Sequence, residues 1–368
     1  MTQVGTYNYG ASNTGAGSHA VSNLTGGTPT SLRSKMNDNR AGESSSRHIP
    51  WLASLLLAVV PLSASAAWFG EQQDKMGTRV EIQLWMDDEA QARRLIAAGM
   101  AEFDRIEAAM STYRDNSEIS AVNREAASAP VVVSAELFDL VRRSLELSVQ
   151  TGGAFDITYD SVGYLYDFRA RERPAEAAIA DKLAAIDYRH VLLDAGKSTI
   201  RFTRPGTRIN LGGIAKGYAC EQVVALLRKA GVTHALVNAG GDTRLLGDRQ
   251  GKPWVVGIRD PDDESKWVTR LALDDEAIST SGDYERYFEE DGVRYHHILD
   301  PRSGKPVAGV RSVTIIGPDA TLTDGLSTSV FVMGVERGLA LIEATPGYAA
   351  VIIDAERKVR FSKALAPD

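Results

Sequence analysis

One cysteine, Cys220, stands in 368 residues. No intramolecular disulfide can form, and no thiolate cage of the zinc type can be assembled. Positive charge is in deficit, with 41 Lys and Arg against 48 Asp and Glu for a net charge of −7. No stretch interleaves basic with aromatic residues, so nucleic acid is excluded as the expected partner. Long hydrophobic runs are scarce: the strongest, Ile49–Leu62, is broken by Pro50 and Pro61 and is too short to span a bilayer comfortably. Neither GxGxxG nor GxxxxGK[ST] occurs around the glycine-rich turns, which removes the dinucleotide fingerprint and the P-loop.

What is present divides the chain. Residues 1–35 are rich in Gly, Ser, Thr and Asn, and are expected to be disordered or an over-long start. Met36 is a second candidate start. Arg40 and Arg47 follow it, then the apolar run, then Ser63-Ala-Ser-Ala-Ala67. That order predicts a secretory signal over 36–67, cleaved near Ala67 or Trp68. No cysteine follows to carry a lipid, so the expected product is periplasmic, with at most peripheral membrane association. Residues 70–368 hold no repeat and no low-complexity linker, and predict one α+β unit.

Within that unit, Thr78–Trp85 alternates as a half-buried strand. Leu95, Ile96, Phe103, Ile106 and Met110 recur at helical spacing behind Asp87 or Asp88, and Ser134 caps a helix carrying Leu137, Leu140, Val141, Leu145 and Val149. Strands are predicted near 190–194, 199–203, 254–259, 267–273, 293–299 and 311–317, with an exposed excursion over 169–176. A helix is predicted from Thr321 to a stop at Gly334.

The centre of the chain is Asn210-Leu-Gly-Gly-Ile-Ala-Lys-Gly-Tyr-Ala-Cys-Glu221. Gly212 and Gly213 let the backbone turn close to a ligand, and a helix running to Gly231 begins at Ile214. Its first N–H groups and positive dipole end lie beside Lys216, an arrangement suited to phosphate, though equally that of a plain strand-to-helix turn. A buried strand, His234–Asn238, and a second glycine turn, Ala239–Asp242, follow. Thr151–Thr158 is another glycine turn that presents a carboxylate. Thr280-Ser-Gly-Asp283 reads as a phosphate-binding turn or an ordinary one.

Asp324 and Thr328 stand at i, i+4 with Ser327 beside them, hard oxygen ligands suited to Mg²⁺. The same residues also fit a first-turn acid and a hydroxyl bonded back to a carbonyl. His297 is a usable proton carrier or a structural strand residue, and its neighbour His296 should point to the opposite face.

Taken together, these segments resemble the ApbE-like FAD:protein FMN transferases. The resemblance runs from about Met76 to Gly334. It rests on Met76-Gly-Thr78; Met110-Ser-Thr-Tyr-Arg114 with Ser117-Glu-Ile-Ser120 and Asn123; Gly153-Ala-Phe-Asp-Ile-Thr158; Leu211-Gly-Gly-Ile-Ala-Lys-Gly-Tyr218 with Asn238 to Asp242; Thr280-Ser-Gly-Asp-Tyr284 with His297-Ile-Leu-Asp-Pro301; and Asp324 with Thr328. It implies a T-fold-like α+β architecture of mixed sheets with packed helices. It further implies a FAD site lined by Met76, Tyr113, Ala154, Phe155, Asp156, Asn210, Lys216 and Ile298. Mg²⁺ would take the Gly213 carbonyl, Asp324 and Thr328, with Ser327 as a further ligand. His297 or Asp283 would relay the proton as FMN passes to a Thr or Ser hydroxyl of an exported target protein and AMP leaves.

Two positions depart from the family, which usually has Asp where Asn210 and Glu221 stand. The same site fits two other readings: a Mg-dependent FAD pyrophosphatase with water as nucleophile, and an exported FAD-binding protein without chemistry.

Overall fold

A computed structural model describes residues 66–263 and 265–366. The expectations for 1–35, and for the signal as far as residue 65, lie outside the described residues. Eight strands form one sheet in chain order: β1 Ala67–Lys75, β2 Thr78–Met86, β3 Ala235–Ala239, β4 Asp242–Leu246, β5 Ala277–Gly282, β6 Val310–Gly317, β7 Ala349–Asp354 and β8 Val359–Phe361. Every neighbouring pair is antiparallel.

Alternation along β3 shows how the sheet is covered. Ala235 and Val237 belong to the core beneath the helices, whereas Leu236 joins a second cluster with Leu245, Trp254, Val256, Ile278 and Ile316 on the other face. A hairpin of Trp254–Arg259 and Trp267–Leu273 supplies that second layer. With both faces buried, β3 reads as a near-continuous apolar run rather than a half-polar one.

Four longer helices complete the frame: α1 Glu89–Met110, α2 Ala135–Gln150, α3 Ala215–Lys229 and α4 Ala320–Met333. Their starts follow from local chemistry. The side chains of Asp88, Ser134 and Asp319 accept from the backbone N–H groups of Gln91, Leu137 and Leu322. α1 lies on β1 and β2, α3 on β3 and β4, and α4 on β4, β5 and β6. α3 and α4 cross closely at Gly217, where a Cβ would lie 2.0 Å from the Ala320 carbonyl oxygen. Any side chain there would drive the helices apart.

The described residues form an α+β fold, and the predicted helices and most strands are present. Three local readings need correction. β1 was not anticipated, and it pairs with β2 along its whole length. Thr280-Ser-Gly-Asp283, read as a turn, is instead mostly part of the central strand β5. The stretch 293–299 is divided: Val293–His296 pairs with Tyr287–Glu290 around Asp291-Gly292, while Leu299–Asp300 pairs with Lys305–Pro306. Asp291 and Gly292 both have positive φ, as a two-residue hairpin turn requires.

Candidate active site

The α3–α4 crossing brings distant charges together. Lys216 Nζ forms an ion pair with Asp242, the first residue of β4, and lies 3.8 Å from Asp324 Oδ1 on α4. The Gly217 N–H donates to Asp324 Oδ2 at 3.0 Å. Burial, then Asp242, pushes the Asp324 carboxyl up to about 7, with Lys216 opposing. Burial by itself would lower the Lys216 ammonium, but Asp242 and Asp324 outweigh it and hold it above its ordinary value. Asp242 Oδ1 is buried with no hydrogen-bond partner among the described residues. Two carboxylates thus share one ammonium, and an acceptor oxygen stays open.

Hydroxyls border this cluster. Ser281 Oγ lies 2.7 Å from Ser327 Oγ and 3.5 Å from Thr328 Oγ1. A Cβ on Gly213 would lie 3.2 Å from Thr328 Oγ1 and 3.4 Å from the Phe155 ring. Gly213, Phe155, Ser327 and Thr328 therefore adjoin one another, next to Asp324. Asp324 sits in the second turn of α4, so it is not the first-turn acid of the alternative reading; Asp319 takes the capping role. Among the described residues no three His, Cys, Asp or Glu side chains gather as a metal cage. The donor set is one carboxylate with hydroxyl and carbonyl oxygens, and it fits a hard cation whose shell a phosphate would complete. The orphaned Asp242 oxygen and the raised Asp324 carboxyl both favour added positive charge.

The expected phosphate role of Thr280 and Ser281 takes a different form. Ser279 Oγ bonds Thr323 Oγ1 at 2.8 Å, and Thr280 Oγ1 bonds Thr314 Oγ1 at 2.9 Å. β5 thus joins α4 and β6 through hydroxyls.

A second wall is built around Asn210. Its Oδ1 accepts the Gly212 N–H at 2.8 Å, while its Nδ2 donates to Asp160 Oδ1 at 3.1 Å and Thr112 Oγ1 at 3.2 Å. An aspartate at this position would face the Asp160 carboxylate; the amide instead bonds it, which accounts for the departure. Glu221 has an equally specific place: its Oε1 accepts Arg244 Nε–H at 3.0 Å and the Ala320 N–H at 2.7 Å, securing the start of α4.

Asp156 is buried and folds onto its own turn. It accepts the Thr158 N–H and O–H at 2.8 and 2.6 Å and the Tyr188 N–H at 2.8 Å. Burial still raises its carboxyl. Ala154 and Ile298 are buried, Met76 occupies the β1–β2 turn, and Tyr113 stands 87% exposed.

His297 donates its N–H to the Arg286 carbonyl at 3.1 Å, and its Nδ1 is buried without a partner among the described residues. Burial, followed by the Arg286 charge, lowers the imidazole to about 3, so it is neutral at neutral pH. His296 is a structural residue, with Nε2 2.8 Å from the Val307 carbonyl and its ring edge-on to Phe331. Asp283 lies between Arg311, at 2.8 Å, and Arg294, at 3.4 Å.

The structure therefore gathers Gly213, Lys216, Asp324, Ser327, Thr328 and Phe155, and leaves Asp283 in an ion-pair web. The sequence reading did not single out Asp160 or Asp242 as site residues, and it placed Ser281 only in a turn that could bind phosphate. Only Asp242 carried a local signal, an acid directly after a Gly-Gly turn.

A family model described as the ApbE family matches residues 76–352. A FAD:protein FMN transferase of Treponema pallidum is 38% identical over 274 residues, covering 70% of this chain and 76% of that protein. One of Klebsiella pneumoniae is 33% identical over 291 residues, covering 78% and 89%. Among solved structures, the ApbE protein of Thermotoga maritima superimposes with a TM-score of 0.75 at 33% identity, over 81% of this chain and 98% of that one. The flavin transferase ApbE of Vibrio cholerae gives 0.74 at 30% identity, over 82% and 98%. On the family match and these identities, the chain belongs to the ApbE family.

Proposed function

We propose that the protein is a transferase that moves FMN from FAD to a Thr or Ser hydroxyl of a target flavoprotein, releasing AMP. The observation that carries the reading is the cation-poor cluster of Lys216, Asp242 and Asp324 at the α3–α4 crossing, in a chain similar to proteins named FAD:protein FMN transferases. Asp324, Thr328, Ser327 and the Gly213 carbonyl would hold Mg²⁺, which when bound supplies positive charge to the diphosphate oxygens. Lys216, fixed by its two carboxylates, orients the diphosphate, and Phe155 beside Gly213 offers an apolar contact.

The acceptor oxygen attacks the FMN-side phosphorus, forming a phosphoester as the P–O bond to AMP breaks and AMP leaves with that electron pair. The hydroxyl proton goes to neutral His297 at Nδ1, a nitrogen with no partner among the described residues. Asp283 is the weaker candidate for that role, because two arginines already neutralise it. The order of Arg40, Arg47, the apolar run and Ser63–Ala67 supports export, so mature enzyme and target would meet in the periplasm.

The test is incubation with FAD, Mg²⁺ and a candidate exported flavoprotein domain. The expected result is flavin fluorescence that stays with the target band after denaturation, with AMP in equal amount. FMN and AMP released with no labelled target would replace the reading by FAD hydrolysis. FAD bound and returned unchanged would replace it by a binding protein.

A further inference from the structure

Arg286 occupies a junction that neither motif nor resemblance assigns. Its backbone carbonyl accepts the His297 N–H at 3.1 Å. Its guanidinium reaches back to the β1–β2 turn, with Nη2 3.5 Å from the Gly77 carbonyl and 3.3 Å from where a Gly77 Cβ would stand. Met76 and Gly77 form that turn, both at positive φ, 51° and 69°. Arg286 thus links the Met76 turn, through its guanidinium, to the His297 backbone, through its carbonyl.

Nearby arginines are matched by acids. Arg294 has Asp283 and Glu289, Arg311 has Asp283 and Asp262, Arg173 has Glu290, and Arg208 has Asp160. Arg286 is exposed, and among the described residues it makes no ion pair; its guanidinium's hydrogen bond is the long one to Gly77. Glu285, the preceding residue, reaches toward Gly241, with Oε1 3.3 Å from the Cβ position there, and its buried carboxyl feels Lys216 more than Arg286. The Arg286 charge is nevertheless felt in the site, since it helps to depress His297.

Charge balance gives this geometry its meaning. Lys216 is the obvious phosphate ligand, yet Asp242 and Asp324 already outnumber it. A diphosphate entering this cluster needs positive charge that is not already matched. A guanidinium with one long hydrogen bond keeps most of its five donors for an anion.

We infer that Arg286 is a phosphate-binding residue, giving the diphosphate of FAD a second positive charge beside that of Lys216. This rests on the reading of the site as FAD-binding. The test compares wild type, Arg286→Gln and Arg286→Lys by flavin-fluorescence titration with FAD at several salt concentrations, alongside transfer kinetics. Arg286→Gln should raise the Kd for FAD about tenfold, in line with the loss of a charge-assisted hydrogen bond. Its Kd should also depend less steeply on salt. Arg286→Lys should recover most of the affinity and the salt dependence.

An unchanged Kd in Arg286→Gln would overturn the inference, as would a lysine variant no better than glutamine, which would mean that the Gly77 contact matters and the charge does not. An unchanged Kd together with a raised KM for the target would assign the guanidinium to the acceptor chain, and would also overturn it. If wild type binds FAD but labels no target, the transferase reading fails while the Arg286 result still stands or falls by itself.

Discussion

Two charged regions of this molecule differ in one respect. Around Asp283, three arginines (Arg294, Arg311 and Arg357) meet three aspartates (Asp260, Asp262 and Asp283) in a continuous web. Around Lys216, one ammonium meets two carboxylates, and one of their oxygens has no partner among the described residues. In the first region each of these charges has an opposite partner, and the web ties β5 and β6 to the loops. The second is short of positive charge, and buried enough that the shortage is not screened by water. Such an imbalance is costly in a resting fold and becomes useful when a cation or cationic complex enters.

The largest effect should come from removing the centre of the unbalanced region. Asp324→Ala should drop FAD turnover to background, and raising Mg²⁺ should not restore it. A variant that retains wild-type turnover in a Mg²⁺ titration would break the comparison at its root. His297→Ala should follow, with transfer slowed by roughly 10²–10⁴-fold while the Kd for FAD stays close to wild type. A stopped-flow trace of normal rate from well-folded His297→Ala would return the proton to water.

Asp283→Asn should do the reverse of Asp324→Ala. Leaving Arg294 and Arg311 short of a counter-charge should reduce stability by about 1 kcal/mol, because the web is partly solvated. The Kd for FAD should hardly move. Thermal melts and flavin titrations on the same sample separate these outcomes, and a large loss of transfer with an unchanged melt would place Asp283 in the chemistry after all.

A further effect concerns pH. His297 in the folded protein is lowered to about 3, below the ordinary histidine value of about 6.5 expected in the unfolded chain. Between those values the unfolded state binds a proton that the native state does not. The stability contributed by neutral His297 is therefore present above about 6.5 and is lost as pH falls toward 3. Denaturant midpoints measured across that window should decline less steeply in His297→Ala than in wild type. Parallel slopes would show that His297 takes up its proton in the fold as readily as outside it.

Much of this was legible locally. The caps Asp88 and Ser134, the apolar faces of α1 and α2 and the i, i+4 pair of Asp324 and Thr328 depend on a few residues each, and the structure shows all of them. β5 was not legible, and the reason is particular. Its alternating side chains, Ser279 and Ser281, face Thr323 and Ser327 on α4 through hydroxyls. The period of two is present, but no apolar signal marks it. β1 was hidden differently, because Ala67-Trp-Phe-Gly70 adjoins an apolar leader-like run and its partner β2 explains it only after pairing.

By itself the sequence determined the elements whose causes are close in the chain: caps, helical faces and the oxygen ligands that share one helix face. Only tertiary structure decided that Lys216 faces both Asp242 and Asp324, that Asn210 bonds Asp160 where an acid would repel it, and that Arg286 reaches Gly77 across 209 positions of chain. Electrostatic balance is a property of groups brought within a few ångströms of one another away from water. Spacing along a chain does not encode that distance when the groups belong to different elements, and the sheet register and the close α3–α4 crossing set it here.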